Sequence, residues 1–214
     1  MKTCELYLLT PPSVDPFLFK EKLSRALDTG PIAAVQLRLK QATDDDIARA
    51  IEVLQPIVQS RNIAFILNDR PDLAKKYGCD GAHIGMDDMD INTARAILGN
   101  DLQLGVSCYD SKDLAMKAGE QGADYIAFGA FFPSVSKHTE VRAPVELLKW
   151  WTELMELPVV AIGGINAQNC IPLVKAGADF ISVINAVWNH PDGVEVGVKS
   201  LLKSIQHALE HTEV

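Results

Sequence analysis

The 214-residue sequence predicts a single (β/α)8 barrel. Short β-rich runs alternate with helical patterns along the whole chain, and such alternation builds βαβ units on a parallel sheet. Eight strand candidates within this length suit a closed barrel better than an open doubly wound sheet, which usually needs fewer strands. The segments YGCDG, QGADY and AGADF each set a glycine after a helix and then Asp80, Asp124 or Asp179 just before a strand. Glycine suits the left-handed residue that ends a helix, so the three stretches read as junctions of one recurrent unit. No Pro/Gly/Ser-rich linker interrupts the series, and residues 1–214 are expected to form one domain.

The elements follow in order. The first strand is expected over residues 5–9, and a helix over 16–28. A second strand, 34–39, leads to a helix over 44–59, where Ile47, Ile51, Leu54 and Val58 recur at helical spacing. Strands three and four, 64–67 and 81–84, enclose a helix at 71–77. A helix at 92–98 precedes strand five, 102–106, and one at 111–120 precedes strand six, 125–128. That sixth run, YIAF, is what a parallel sheet buries on both faces, and it stops at Gly129 before a polar, proline-punctuated loop. Helices at 145–155, 167–176 and 194–209 alternate with strands at 159–162 and 180–184. Asn166 is the expected N-cap of the seventh helix, and Asp90 that of the fourth.

Composition narrows the function. A net charge of -8 argues against a general nucleic-acid binder or an anionic membrane surface, because phosphate-rich partners need basic patches. A small anionic ligand is still compatible if basic groups are focused locally. Cys4, Cys79, Cys108 and Cys170 have no CxxC spacing and are expected to be reduced packing residues. The start, MKTCELYLLTPPS, lacks a signal-peptide apolar region, and no apolar run approaches the roughly 18 residues of a membrane span, so a cytoplasmic location is expected.

In such a barrel the active site lies where strands end and βα loops begin. Gln36, Arg38 and Lys40 alternate with Leu37 and Leu39, so a strand points all three to one side. Two cations and a carboxamide near the mouth of the lumen would favour a mono- or diphosphate. Asn68, Asp69 and Arg70 follow the third strand, and HIGMDDMD covers the end of the fourth. Asp69 and Asp88 follow neighbouring strands and could share Mg²⁺, which proteins commonly hold with two carboxylates plus substrate phosphates and water, although Asp87, Asp88 and Asp90 cluster and the sequence alone does not fix which of them binds. Capping is the bland alternative for Asp69. His83 is expected to be a buried, hydrogen-bonded structural histidine. Ser107 follows strand five; Ser134, Ser136 and Lys137 occupy the loop after strand six. Gly163 and Gly164 follow strand seven, where backbone amides can approach an anion. No Ser/His/Asp or Cys/His constellation is evident.

Through QLRLK, NDR, DGAHIGMDDMD, LGVSCYDS, GADYIAFGAFFPSVSK, VVAIGGIN and GADFISVINA, in the family's order, nearly the whole chain resembles the thiamine phosphate synthases. The resemblance implies a (β/α)8 barrel that joins 4-amino-2-methyl-5-hydroxymethylpyrimidine diphosphate to a thiazole phosphate, giving thiamine phosphate and pyrophosphate. It implies that Gln36, Arg38, Lys40 and Asn68 bind the pyrimidine diphosphate and that Asp69 and Asp88 hold Mg²⁺. Ser107 and Lys137 would contact the pyrophosphate as it forms, and with Arg38 they are the implied catalytic residues. Ser134, Ser136, Gly164, Ile184 and Asn185 would bind the thiazole phosphate. In this family the C–O bond is thought to break first.

Some positions depart from the family pattern. Ser134 and Ser136 replace two threonines, Asn185 stands where serine is common, Met86 replaces a frequent glutamine, and HTEVRAPVELL is short. A thiazole tautomerase on the same barrel is one rival, but Tyr109 occupies the place of the histidine on which that sister family relies. A non-catalytic sensor of thiamine precursors is the rival from another class. Trp150, Trp151 and Trp188 are expected to pack internally, with a subunit contact in a homo-oligomer as the alternative.

Overall fold

The computed structural model describes residues 3–85, 88–133 and 142–211. Eight parallel strands form a closed barrel in sequence order: β1 (Glu5–Leu9), β2 (Ala34–Leu37), β3 (Ala64–Asn68), β4 (Gly81–Gly85), β5 (Gln103–Tyr109), β6 (Tyr125–Phe128), β7 (Val159–Ile162) and β8 (Phe180–Val183). Pairing of β1 with β8, Tyr7 opposite Ser182, closes the ring. The helices between strands are α1 (Pro16–Leu27), α2 (Asp44–Gln59), α3 (Pro71–Tyr77), α4 (Ile91–Leu98), α5 (Lys112–Glu120), α6 (Val145–Leu154) and α7 (Ile171–Lys175). A short α8 (Asn185–Trp188) and a long α9 (Val194–Glu210) complete the chain. The expected strands and helices are all present.

The differences lie at element ends. Helix α7 starts at Ile171, and Asn166 instead caps the turn before it: its Oδ1 accepts from the amides of Gln168 and Asn169. Asp90 does cap α4, accepting from the Thr93 amide at 3.0 Å. Helix α8 was not anticipated, since a single turn is too short to show helical periodicity.

Alternation along the strands divides the interior into two cores. Leu6, Leu8, Val35, Leu37, Phe65 and Leu67 face outward into the layer shared with the helices, whereas Tyr7, Leu9, Ala34, Ile66, Tyr125 and Val160 fill the lumen. The three junction aspartates fasten the bottom of this barrel. Asp80, Asp124 and Asp179 each accept from a main-chain amide of the preceding strand, Phe65 at 2.7 Å, Leu104 at 2.7 Å and Val159 at 2.8 Å. Each aspartate's own amide donates back to the same residue's carbonyl. The bases of β3, β5 and β7 are thereby tied to β4, β6 and β8, and the opposite rim is free to carry chemistry.

The remaining packing expectations hold. Trp151 and Trp188 are buried and donate to the Leu157 and Leu9 carbonyls, at 2.8 and 2.6 Å. Trp150 is half-buried beneath the Lys112 ammonium. All four cysteines are free and buried, and burial is the leading cause pushing their thiols up, to about 12 for Cys4, Cys79 and Cys108. Among the described residues no helix is long and apolar enough to cross a membrane.

Candidate active site

A cavity of about 160 Å³ opens at the carboxyl ends of the strands. Its walls are the lumen-facing residues of the upper barrel, and the parity of each strand explains their identity. Gln36 and Arg38 extend the inward series begun by Ala34 on β2, and Lys40 continues it at the rim. From β3 comes Asn68, from β4 His83, from β5 Ser107 and Tyr109. Leu9, Ala127, Ala130, Val160, Ile162 and Ile184 supply an apolar wall from the other side. Polar and apolar halves therefore face one another across one cavity.

Asp69, the residue after β3, has a left-handed conformation, φ 63°, which asparagine and aspartate tolerate better than most residues. Its Oδ2 accepts from Lys40 Nζ at 2.9 Å and caps no helix. Asp88 curls back so that its Oδ2 accepts from the Gly85 amide at 2.9 Å. Burial pushes the Asp88 carboxyl up, and the neighbouring Asp69 carboxylate, within hydrogen-bonding reach, pushes it further. Two carboxyl groups in contact, offset by one half-exposed lysine, form a donor set of hard oxygens suited to a divalent cation. Among the described residues no group of three or more His, Cys, Asp or Glu could hold a metal ion. A cation on this pair would complete its shell with water and ligand oxygens, as Mg²⁺ commonly does.

Arg38 is half-buried; desolvation lowers its pKa, while the charges of Asp69 and Asp88 oppose that shift. The expected clustering of Gln36, Arg38, Lys40, Asn68, Asp69, Asp88 and Ser107 at one rim is thus realised.

Beneath them the lumen holds a continuous series of polar contacts. Gln36 Nε2 donates to the Tyr7 hydroxyl at 3.0 Å, and the Tyr7 and Tyr125 hydroxyls are 2.9 Å apart. The Tyr125 hydroxyl lies 3.1 Å from His83 Nδ1, and His83 Nε2 lies 2.9 Å from Ser107 Oγ. Burial holds His83 down at about 4, with Arg38 adding to the effect and Asp88 opposing it, so the ring is neutral near pH 7. His83 is therefore the hydrogen-bonded buried histidine expected, and it also lines the cavity. Gly105 makes the contact with Tyr125 attainable: a Cβ there would sit 2.1 Å from the tyrosine ring and 2.5 Å from His83 Nδ1.

The residues that the resemblance assigns to the thiazole phosphate are only partly among the described ones. Ser134, Ser136 and Lys137, like Met86, lie outside the described residues. Gly163 and Ile184 line the cavity. Gly164 stands against the loop after β6, where a Cβ would fall 2.4 Å from the Pro133 carbonyl oxygen, so its lack of a side chain admits that loop. Asn185 is half-buried at the start of α8, its Oδ1 accepting from Asn189 Nδ2 at 2.9 Å. Sequence reasoning missed Tyr7, Tyr109 and Ser182 as lining residues, and Tyr125 as a member of the lumen core beneath them. The signal was available: each shares the inward parity of a residue already singled out or of a strand neighbour. The Ser182 hydroxyl is buried and has no hydrogen-bond partner among the described residues.

Comparison with known proteins gives the family. A family model described as thiamine monophosphate synthase matches residues 6–187. A thiamine-phosphate synthase of Rhodospirillum centenum is 56% identical over 198 residues, which cover 92% of this chain and 96% of the relative. One from Hyphomonas neptunium is 44% identical, covering 91% of this chain and 90% of the relative. Among solved structures, a thiamine phosphate pyrophosphorylase from Pyrococcus furiosus superposes with a TM-score of 0.83 at 32% identity, over 96% of both chains. An orotidine 5'-phosphate decarboxylase from Pyrococcus horikoshii OT3, with a TM-score of 0.68 at 14% identity, shares the fold alone. From the family match, the full-length similarity to these relatives and the common barrel, the chain belongs to the thiamine monophosphate synthase family.

Proposed function

We propose that this enzyme is a transferase that joins 4-amino-2-methyl-5-hydroxymethylpyrimidine diphosphate to a thiazole phosphate, giving thiamine phosphate and pyrophosphate. The observation that carries the reading is the convergence of Arg38, Lys40, Asn68, Asp69, Asp88 and Ser107 on one rim, in a chain of this family. Cations beside a carboxylate pair suit a diphosphate and its counter-ion better than a neutral ligand.

In this reaction the lone pair of the thiazole nitrogen forms a bond to the methylene carbon of the pyrimidine. The C–O bond breaks, and its electrons leave with the pyrophosphate oxygen. Little acid–base machinery is required, and the neutral, fully engaged His83 fits that requirement. Arg38 and Lys40 would offset the charge of the departing group, and Ser107, on the same wall, would contact it. Lys137 adds a further cation by family resemblance, and Ser134, Ser136, Gly164, Ile184 and Asn185 are assigned on the same ground to the thiazole phosphate. Mg²⁺ held by Asp69 and Asp88 would neutralise the diphosphate and stabilise it as a leaving group. The apolar wall of Leu9, Val160, Ile162 and Ile184 keeps water from an electron-poor methylene carbon.

The test is product analysis after incubation with both substrates and Mg²⁺. Thiamine phosphate and pyrophosphate in equal amounts are expected. Binding of both substrates without product would instead identify a sensor that kept the pockets and lost the reaction.

A further inference from the structure

We propose that the buried series of contacts in the lumen runs in one direction, and that His83 is a positioning residue that makes the Ser107 hydroxyl a donor to an anion in the cavity. The anion half of this inference rests on the diphosphate reading above; the direction of the series does not.

Each hydroxyl and each neutral imidazole has a single proton to donate. The Tyr7 oxygen accepts from Gln36 Nε2, so its single proton goes to Tyr125, the other partner within reach. Tyr125 then delivers its own proton to His83 Nδ1. A neutral imidazole that accepts at Nδ1 carries its proton on Nε2, and that N–H points at Ser107 Oγ. Ser107 therefore accepts from the histidine, and its proton is left for the cavity that it lines.

The opposite direction does not close. Ser107 would donate to Nε2, Nδ1–H to Tyr125, and Tyr125 to Tyr7, after which the proton of the buried Tyr7 would face an amide NH₂ instead of an acceptor. Only rotation of the Gln36 amide would rescue it, and Ser107 would then present lone pairs to the cavity. That polarity opposes the ligand charge favoured by Arg38 on the same wall. The direction of the series thus couples both ends of the site: Ser107 as donor requires the Gln36 carbonyl to be the amide atom left over as an acceptor.

Two measurements on the intact chain test this. Imidazole ¹⁵N chemical shifts, with the His83 signal assigned by its loss in His83→Gln, report which nitrogen bears the proton at neutral pH. The Nε2–H form is expected, and the Nδ1–H form would overturn the proposal. Calorimetric titration with inorganic pyrophosphate and Mg²⁺ then compares the wild type, Ser107→Ala, Tyr125→Phe and the double variant. Each single change should weaken binding about tenfold, and Tyr125→Phe should add less than about twofold once Ser107 is gone. Independent, multiplicative losses would show that Tyr125 does not act through Ser107. Should Tyr125→Phe not fold, the ¹⁵N measurement decides the direction of the series alone. A wild-type chain that fails to bind pyrophosphate would overturn the functional reading and the anion half of this proposal, whichever tautomer is found.

Discussion

Asp88 is held against its own electrostatic interest. Its carboxyl is pushed up by burial and by Asp69, so an ionised Asp88 destabilises the cation-free fold. Asp88→Asn is therefore expected to leave the melting temperature of the cation-free protein unchanged or raised, and to abolish the rise that Mg²⁺ gives the wild type. Calorimetric melting with and without Mg²⁺ checks both halves; a variant that still gains stability from the cation would remove Asp88 from the site. His83 acts in the opposite sense. Its pKa falls from 6.5 to about 4 on folding, so the folded chain binds fewer protons than the unfolded chain between those values. Stability present above pH 6.5 should be lost progressively as pH falls to about 4. His83→Gln should lack that component, which denaturant midpoints for both proteins at pH 7, 5 and 4 would reveal.

At the scale of elements, the junction aspartates carry a stability prediction. Asp124→Ala would strand the buried Leu104 amide and remove a partner of Arg95, at a cost of about 1–3 kcal/mol in urea unfolding with little effect on turnover. A change within about 0.5 kcal/mol, typical of a featureless surface position, would contradict the clamp. The repeated Gly-x-Asp pattern was legible in the sequence as a junction, whereas the amide that each aspartate grips was not. Sequence shows spacing along the chain, and these bonds cross between strands. The same limit explains the lumen. Gln36, Arg38 and Lys40 could be read as one face from their alternation, but the contact of Tyr7 with Tyr125, 118 positions apart, depends on closure of the barrel. Asn166 was misread as a helix cap because its Asx turn carries the same local signature as an N-cap, with the helix itself delayed to Ile171.

For the whole molecule, the barrel was legible because strand parity, helix periodicity and glycine-marked junctions all point the same way. The clustering at the rim was legible because a barrel makes the end of every strand a neighbour of the next. The central claim is that Asp69 and Asp88, just beyond the ends of strands three and four, anchor the diphosphate end of that rim. The most direct test is the rate of pyrophosphate release from both substrates at saturating Mg²⁺, in the wild type and in Asp69→Asn. The exposed Lys40 partner makes the ion pair itself worth little, so stability should shift by less than about 1 kcal/mol. Turnover should fall at least about 100-fold, the scale of losing one preorganised charge-stabilising group. Near-normal release by a folded Asp69→Asn would contradict the account and move the diphosphate site elsewhere on the barrel.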